Sequence, residues 1–358
     1  MPGSFVSRRK FIQTTASAAA GISLLSIGSS SVPHRHVVSI VRIRDGNTER
    51  AVEEAIDLLG GIKSVTRGKD SILLKPNLVA PSRDCTTKVE VIKPLARLMI
   101  KAGKTVSIGE GSAAAPSFNM IGNEVCRTKK REILDGMQKA VFENLGYTEL
   151  AKALGIELVN LHSGDIVEVP LKNGLAAKSV KLHKKLTEVD LVCSVPMMKT
   201  HTLATVTLAM KNLIGLYPGT EYYAARAWLH DKAAEKGSAG VSFEILDMNQ
   251  AVPTGLSVID ASTAMEGNGP SNGTLVDIGL IIAATSPLAA DMAGCELMGF
   301  HHSEIPSLNL AHELGMTPSD TVDIEIRGLK IEDCRRNFIR PNVVKWTDIS
   351  KIWGVREI

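Results

Sequence analysis

The chain has 358 residues, of which 44% are hydrophobic, 22% are charged and only 4% are aromatic. This composition excludes global disorder and favours a core of aliphatic side chains, as in a buried parallel sheet. The formal charge of +3 matches the three basic residues Arg8, Arg9 and Lys10, so the rest of the chain is close to neutral. A near-neutral chain lacks the basic field that gathers nucleic acid, and we expect no nucleic-acid partner.

The N-terminal segment has the pattern of an export signal. Residues 7–12 read Ser-Arg-Arg-Lys-Phe-Ile, which resembles the twin-arginine motif, and a weakly apolar run follows at 14–27. The run is shorter than the roughly 20 apolar residues of a membrane span. We therefore predict a signal peptide over residues 1–31, transport by the twin-arginine export machinery to the periplasm, and no stable membrane span once the signal is removed. An uncleaved anchor and an amphipathic helix are the alternatives.

Aliphatic runs then alternate with amphipathic stretches. The first five elements alternate as β-α-β-α-β with short links, which predicts a parallel sheet with right-handed crossovers. The predicted strands are 37–43, 71–75, 105–108, 190–195, 256–259, 278–284 and 322–326. The predicted helices are 49–59, 89–101, 132–145, 148–154, 241–249 and 288–298.

Three segments have less regular patterns. Residues 156–186 hold three short strand-like runs and predict a β-rich insertion, 206–213 fits a helix or a strand, and 217–240 is typical of a mobile lid. The fold class that follows is α/β: a mostly parallel, Rossmann-like sheet with helices on both faces. We predict one domain over 37–330 with lobes at 37–155 and 156–330, and a C-terminal extension over 331–358.

The five cysteines contain no C-x-x-C pair. This spacing argues against a disulfide framework, a zinc knuckle and a ferredoxin-type cluster, so we expect no iron–sulfur cofactor.

Polar residues stand directly after several predicted strands, where open parallel sheets bind their ligands. Lys75 and Asn77 follow the second strand, and Glu110 lies between two glycines after the third. Lys199 and His201 follow the strand at 190–195, with the pair Lys211-Asn212 eleven residues on from Thr200-His201. Ammonium groups bind anions, and an imidazole can act as general base or metal ligand. Rim charges and satisfied polar side chains are the structural alternative.

Carboxylates and a Gly-rich loop follow the later strands. Asp260 ends one strand, and the run Met265-Glu266-Gly267-Asn268-Gly269-Pro270 comes after it. An acid followed by such a loop suits a cation or the edge of an anion site, whereas an Asx turn is the structural alternative. Asp291 lies in the first turn of the helix predicted at 288–298, where it either favours the helix dipole or faces the site.

Together these segments resemble the family named domain of unknown function 362. The segments that carry the resemblance keep the family's order: 74–79, Gly109-Glu110-Gly111, Lys199-Thr200-His201, 206–215, 265–270 and 285–291. Two departures are clear. The family's Thr-Thr-His-Pro stretch is replaced by Thr86-Thr87-Lys88-Val89, and the ferredoxin-like cysteine motifs of some relatives are absent.

We expect an exported protein that binds a small anionic ligand or cofactor, with or without a divalent metal. In this hypothesis His201, Lys199 and Glu110 are catalytic, in proton transfer or metal-assisted hydrolysis. The ligand-binding residues are Lys75, Asn77, Lys211, Asn212, Gly267 and Asn268, and the metal ligands are Asp260, Glu266 and Asp291. The alternatives are a non-catalytic periplasmic receptor for a solute or metal, and a structural assembly factor.

Overall fold

A computed structural model describes residues 35–122, 124–226, 231, 240–252, 254–344 and 356–358. The predicted signal peptide at 1–31 lies outside these residues, as do 227–230 and 232–239 of the predicted lid. The strands of the described part are β1 (His36–Arg42), β2 (Ser71–Pro76), β3 (Thr105–Glu110), β4 (Met120–Ile121), β5 (Glu124–Val125), β6 (Glu157–Asn160), β7 (Ile166–Pro170), β8 (Ser179–His183), β9 (Leu191–Val195), β10 (Met197–His201), β11 (Thr205–Thr207), β12 (Thr254–Glu266), β13 (Thr274–Ala284) and β14 (Ile324–Gly328).

The helices that matter for the site and the core alternate with these strands. They are α1 (Thr48–Leu58), α2 (Ile62–Val65), α3 (Val89–Lys101), α4 (Arg131–Asn144), α5 (Tyr147–Leu154), α6 (Lys185–Glu188), α7 (Ala209–Asn212), α8 (Gly219–Tyr222), α9 (Val241–Ala251), α10 (Pro287–Leu297), α11 (Pro306–Glu313) and α12 (Ile331–Cys334). Short 3₁₀ turns cover Arg83–Cys85, Leu213–Leu216, Ala224–Arg226, His302–Glu304 and Thr321–Asp323. In the described part of the chain, no helix has both the length and the apolar character to cross a bilayer.

One large sheet organises the fold, in the order β14-β1-β13-β12-β9-β2-β3-β6, with β10 and β11 attached beside β12. Pairing is parallel from β12 through β9, β2 and β3 to β6, and antiparallel where β13 meets β12 and β1. The mostly parallel α/β fold predicted above is therefore confirmed. The two predicted lobes share this sheet, because β2 of the first pairs with β9 of the second.

Alternate strand residues face two separate apolar layers, as the period of two requires. Leu73 and Val192 point into the layer that also holds α9, α10 and α11, whereas Ile72 and Cys193 point into the layer of α1, α3, α4 and α5. Helices thus cover both faces of the sheet. The low aromatic content agrees with this core, which is built almost wholly from Val, Ile, Leu, Ala and Met.

Two local differences from the predicted elements bear on function. The segment 206–213, which was predicted as a helix or a strand, contains both, because strand β11 is followed by helix α7. The predicted strands at 256–259 and 278–284 are parts of a longer antiparallel hairpin, β12–β13, in which Glu266 pairs with Thr274. The Gly-rich run predicted as a ligand loop is the connection of this hairpin.

Candidate functional site

A buried ion pair joins the carboxyl ends of two neighbouring strands. Lys75 on β2 and Glu110 on β3 are in contact at 2.8 Å, and both side chains are almost fully excluded from solvent. Parallel pairing of β2 with β3 brings these ends to the same edge. The Glu110 carboxylate also accepts hydrogen bonds from the backbone N–H groups of Leu78 and Gly111, each at 2.8 Å.

Asn212 connects this pair to helix α7. Its side-chain oxygen accepts a hydrogen bond from Lys75 Nζ at 3.2 Å, and its amide nitrogen donates to the Lys75 carbonyl at 3.0 Å and to Ser194 Oγ at 3.1 Å. Burial lowers the pKa of Lys75, and the charge and hydrogen bond of Glu110 oppose that effect. The three side chains form one network at the end of β2, β3 and β9.

Helix α7 is held in place by Asp291 of α10. The Asp291 carboxylate accepts hydrogen bonds from the backbone N–H groups of Ala209 at 2.6 Å and Met210 at 2.9 Å, which are the first two residues of α7. Burial raises the pKa of Asp291 to about 7, and the two hydrogen bonds act in the opposite direction. Asp291 is therefore a positioning residue for Lys211 and Asn212, not part of the pocket wall.

A pocket opens directly above the network and encloses about 530 Å³, including its open mouth. About 80 Å³ of it can hold the centre of a water-sized sphere, which leaves room for a few water molecules or a small ligand. The polar residues that line it are Asn77, Glu110, His201, Lys211, Asn212 and Arg226. Five of these six were predicted as site residues from their positions after strands.

Lys211 is a cation of this pocket without a partner in the part of the chain that the structure describes. Within the described residues, its amino group has no hydrogen bond or ion pair, and its side chain keeps partial exposure. Burial lowers the pKa of Lys211 to about 7, three neighbouring cations lower it further, and Glu110 raises it. The three cations are Lys199, Arg226 and Lys75. A lysine of this pKa titrates at neutral pH.

Asn77 also has an unused polar atom. Its side-chain oxygen is buried without a hydrogen-bond partner among the described residues, although its backbone N–H donates to Thr87 Oγ1 at 2.9 Å. Buried acceptors without partners are uncommon in native structures, and they are concentrated at functional positions. Asn77 and Lys211 together offer one acceptor and one donor to the pocket.

His201 and Lys199 lie on β10, on alternate residues of the same strand. His201 lines the pocket, and its Nδ1 accepts a hydrogen bond from the backbone N–H of Leu203 at 3.0 Å, so a neutral ring carries its proton on Nε2. Lys199 is fully buried and donates to the Cys85 carbonyl at 2.6 Å. Burial lowers the pKa of Lys199 to about 8. Lys199 contributes charge from beneath the pocket instead of lining it.

Arg226 and His162 are site residues that the sequence reasoning missed. The Arg226 guanidinium donates to the carbonyls of Gly111, Ser112, Ile214 and Gly215, and so ties the loop after β3 to the turn after α7. His162 behind it donates from Nε2 to the Ser112 carbonyl at 2.7 Å and accepts from the Gly219 N–H. Burial lowers the pKa of His162 to about 3, so the ring is neutral. His162 lies in the predicted β-rich insertion at 156–186, for which no strand ends were assigned, and Arg226 lies in a segment without periodicity.

Asp260 is not brought to the pocket. It is fully buried and accepts hydrogen bonds from the backbone N–H of Lys88 at 3.0 Å and from both donors of Ser262. Lys88 precedes α3, so this carboxylate anchors the start of that helix. Asp260 was predicted to end a strand, but it lies in the interior of β12, where it anchors that helix.

Glu266, Gly267 and Asn268 hold the C-terminal extension. Glu266 accepts from the Ile339 N–H at 3.0 Å, the Gly267 N–H donates to the Ile339 carbonyl at 2.9 Å, and Asn268 accepts from the Asn342 N–H at 2.9 Å. The extension continues beside the His201 turn, where the Val344 N–H donates to the Thr202 carbonyl. The loop predicted to bind a ligand thus binds another part of the chain.

The three predicted metal ligands do not share one centre. Asp260, Glu266 and Asp291 each accept hydrogen bonds from a different backbone segment. Another group of potential metal ligands does lie together among the described residues. It consists of Glu296, His301 and His302, whose ligand atoms are all within 4.8 Å of one another. Among its described residues, the pocket wall has one carboxylate, that of Glu110, which is already paired with Lys75. Its other polar side chains carry nitrogen atoms that donate hydrogen bonds.

Comparison with known proteins gives relatives at low identity. A protein of Synechocystis sp. named thylakoid-associated protein is 28% identical over 288 residues, which cover 79% of this chain and 80% of that protein. The lactate racemase apoprotein from Thermoanaerobacterium thermosaccharolyticum aligns with a TM-score of 0.43 and 13% sequence identity. That alignment covers 78% of this chain and 60% of the racemase, so the chain spans less than two thirds of its length.

The family described as domain of unknown function (DUF362) matches residues 72–296, which is more than half of the chain and includes β2, β3, β10 and α7. The chain therefore belongs to the DUF362 family.

Proposed function

We propose that the pocket binds a small anionic ligand through Lys211 and transfers a proton next to the ligand's carboxylate. The observation that carries this proposal is the Lys211 amino group, which opens on the pocket and has no partner among the described residues. A partly buried cation without a counter-ion is unfavourable, and an anionic ligand would supply the missing charge.

The surrounding charge supports an anion instead of a cation. Lys75, Lys199 and Arg226 all act on Lys211, and Glu110 is the carboxylate that opposes them. Glu110 is already engaged by the Lys75 amino group and two backbone N–H groups. The pocket therefore has an excess of positive charge in a setting partly shielded from water, where charge interactions are strengthened.

The pKa of Lys211 supports a proton-transfer role. General acids and bases work best when their pKa lies near the working pH, and the value of about 7 for Lys211 meets this condition. His201 is a second titratable group in the pocket wall, with its proton on Nε2 in the neutral ring. One group can accept a proton while the other donates one, and Asn77 Oδ1 can orient a ligand hydroxyl or amide.

Metal-assisted hydrolysis has less support. The carboxylates expected to bind the metal each accept hydrogen bonds from a separate backbone segment. We accordingly place proton transfer first.

Proton exchange in heavy water tests this function. Small carboxylates with a hydrogen on the adjacent carbon would be incubated with the protein in D₂O and followed by proton NMR. The wild type should remove that hydrogen signal from the substrate it accepts, whereas Lys211→Met and His201→Ala should not. Lys139→Met, which changes a lysine on the exposed face of α4, is the matched control and should exchange like the wild type.

Binding without exchange would favour the receptor alternative. If small carboxylates bind to the wild type and lose affinity in Lys211→Met, but no carbon-bound hydrogen exchanges in any of them, the pocket is a binding site and the catalytic proposal is wrong. If no carboxylate binds, the anion proposal itself fails.

We also propose export to the periplasm, supported by the Ser-Arg-Arg-Lys-Phe-Ile motif at residues 7–12. Residues 1–34 fused to a folded reporter should direct it out of the bacterial cytoplasm. Replacing Arg8 and Arg9 by Lys together should retain the reporter inside, while Lys10→Gln should not. Export of the double variant would contradict the twin-arginine route.

A further inference from the structure

A second cluster of chemically active side chains lies at the end of α10, and none of its members lines the pocket. Glu296 is in the last turn of α10, and His301 and His302 follow in the next turn of chain. One ligand atom from each lies within 4.8 Å of the others. We propose that Glu296, His301 and His302 bind a divalent first-row transition-metal ion such as Zn²⁺.

His302 supplies the strongest support. His302 is only 5% exposed, and its Nδ1 is buried with no hydrogen-bond partner in the described part of the chain. Buried nitrogens are almost always satisfied, so one that is not needs a reason. Burial lowers the pKa of His302, as does the nearby His301, while Asp320 and Glu296 oppose the shift. A metal ion bound to this nitrogen would satisfy it.

His301 has one nitrogen fixed and the other available. Its Nδ1 lies 2.6 Å from Ser303 Oγ, and in the tautomer that donates its proton to this hydroxyl the lone pair of Nε2 is left for an ion. A hydrogen bond donated by the non-ligating nitrogen is the usual way in which proteins orient a metal-binding imidazole. The side chain of His301 is exposed, so an ion has a path from solvent.

The two rings already lie together. Their centroids are 4.3 Å apart with an angle of 32° between the planes. Zn–N and Zn–O bonds of about 2.0–2.2 Å let one ion reach three such atoms after a small closing movement. Glu304, another acid near His301, is occupied by the His301 N–H and by Arg340.

Glu296 supplies the carboxylate of the proposed site. Its contact with Arg335 is loose, at 3.8 Å. Two imidazoles and a carboxylate suit zinc and its neighbours in the first row, whereas Mg²⁺ and Ca²⁺ prefer sets of oxygen ligands. Three protein ligands leave at least one coordination position for water.

The site would anchor the C-terminal segment to the domain. The backbone N–H groups of Arg336 and Phe338 donate to the carbonyls of Leu297 and Met298, between Glu296 and the histidines. An ion at Glu296, His301 and His302 would fix the turn against which this segment packs. We expect metal binding to raise the unfolding temperature of the whole chain.

Zinc binding to the full-length protein tests the proposal. After removal of metals with a chelator, the wild type should bind one Zn²⁺ in calorimetric titration, and Mg²⁺ at the same concentration should not bind. Glu296→Gln and His301→Ala alter partly exposed side chains and so keep the fold; each should weaken zinc binding at least about 10-fold. His312→Ala and Cys334→Ser are the controls and should bind like the wild type.

Cobalt provides an independent readout. The visible spectrum of the Co²⁺-loaded protein should lack thiolate charge-transfer absorption, because no cysteine belongs to the site. The proposal is overturned if the wild type does not bind Zn²⁺ at micromolar concentrations, if the double variant Glu296→Gln/His301→Ala binds it as tightly as the wild type, or if the Co²⁺ spectrum shows thiolate ligation.

Discussion

The pH dependence of anion binding follows directly from the state of Lys211. The amino group has a pKa of about 7 in the free protein, because burial and three neighbouring cations disfavour its charged form. An anion binds the protonated form, so its affinity should be nearly constant well below pH 7 and should fall above it. Each pH unit above the pKa reduces the protonated fraction about tenfold.

The size of the effect follows from that fraction. At pH values about two units above 7, roughly 1% of free Lys211 is protonated, and the affinity for an anion should be about 100-fold below its acidic limit, or ~2.7 kcal/mol. Sulfate is the probe of choice because its charge does not change over this range. Isothermal titration at constant ionic strength measures the affinity, since screening would otherwise change with pH.

Two variants separate Lys211 from the other titrating groups. Lys211→Arg keeps a permanent charge, so its sulfate affinity should lose the steep decline above pH 7. Lys211→Met should bind weakly at every pH. Lys199, with a pKa of about 8, adds a shallower decline at higher pH in all three proteins. If Lys211→Arg declines as steeply as the wild type, another group controls binding and the reasoning about Lys211 is refuted.

Three further predictions concern the architecture of the site. Gly215→Ala should destabilise the fold by about 1–3 kcal/mol, because a new Cβ would lie 2.6 Å from Lys75 Nζ; unchanged urea denaturation would contradict this. Glu110→Gln should reduce the free energy of unfolding by about 3–5 kcal/mol, because it leaves Lys75 buried without its counter-charge. A change below about 1 kcal/mol would show that the ion pair is not needed for stability. Burial raises the pKa of Asp291 to about 7, so the folded state keeps this proton to a higher pH than the unfolded state does, and the free energy of unfolding should fall as pH rises from about 4 to 7. Asp291→Asn should remove that part of the decline. An identical pH profile of stability in both proteins would refute this prediction.

The site residues that follow strands could be predicted because their positions depend on the geometry of a parallel sheet. Parallel pairing of β2, β3 and β9 brings their carboxyl ends to one edge, and Lys75 and Glu110 follow from that alone. The cluster of Lys211 and Asn212 was also visible, although the sequence did not show that an antiparallel pair, β10–β11, precedes it.

Other residues could not be assigned because their partners are distant in the chain. Asp260 at the predicted end of a strand suits a ligand or a helix start equally well, and only the proximity of Lys88 decides between them. Glu266 is occupied by Ile339, which belongs to a segment with no recognisable pattern. Arg226 illustrates the opposite case, since a residue from an irregular segment closes the pocket wall through four backbone carbonyls.

The Gly-rich run at 265–270 was ambiguous for a different reason. Glycine and asparagine serve both ligand loops and hairpin connections, because each needs unusual backbone angles. The flanking strands β12 and β13 pair from Glu266 and Thr274 inward, which makes the run a hairpin connection. The sequence pattern underestimates the lengths of β12 and β13, so it did not show that the two strands meet at this run.

The central claim is that Lys211 holds an anion in the pocket formed with His201, Asn77 and Arg226. A crystal structure of the full chain grown with saturating sulfate tests it most directly. We predict sulfate oxygens within about 3 Å of Lys211 Nζ in the wild type, and no sulfate at this position in Lys211→Met. A wild-type pocket that contains only water under these conditions, or sulfate bound there equally in Lys211→Met, would contradict the account.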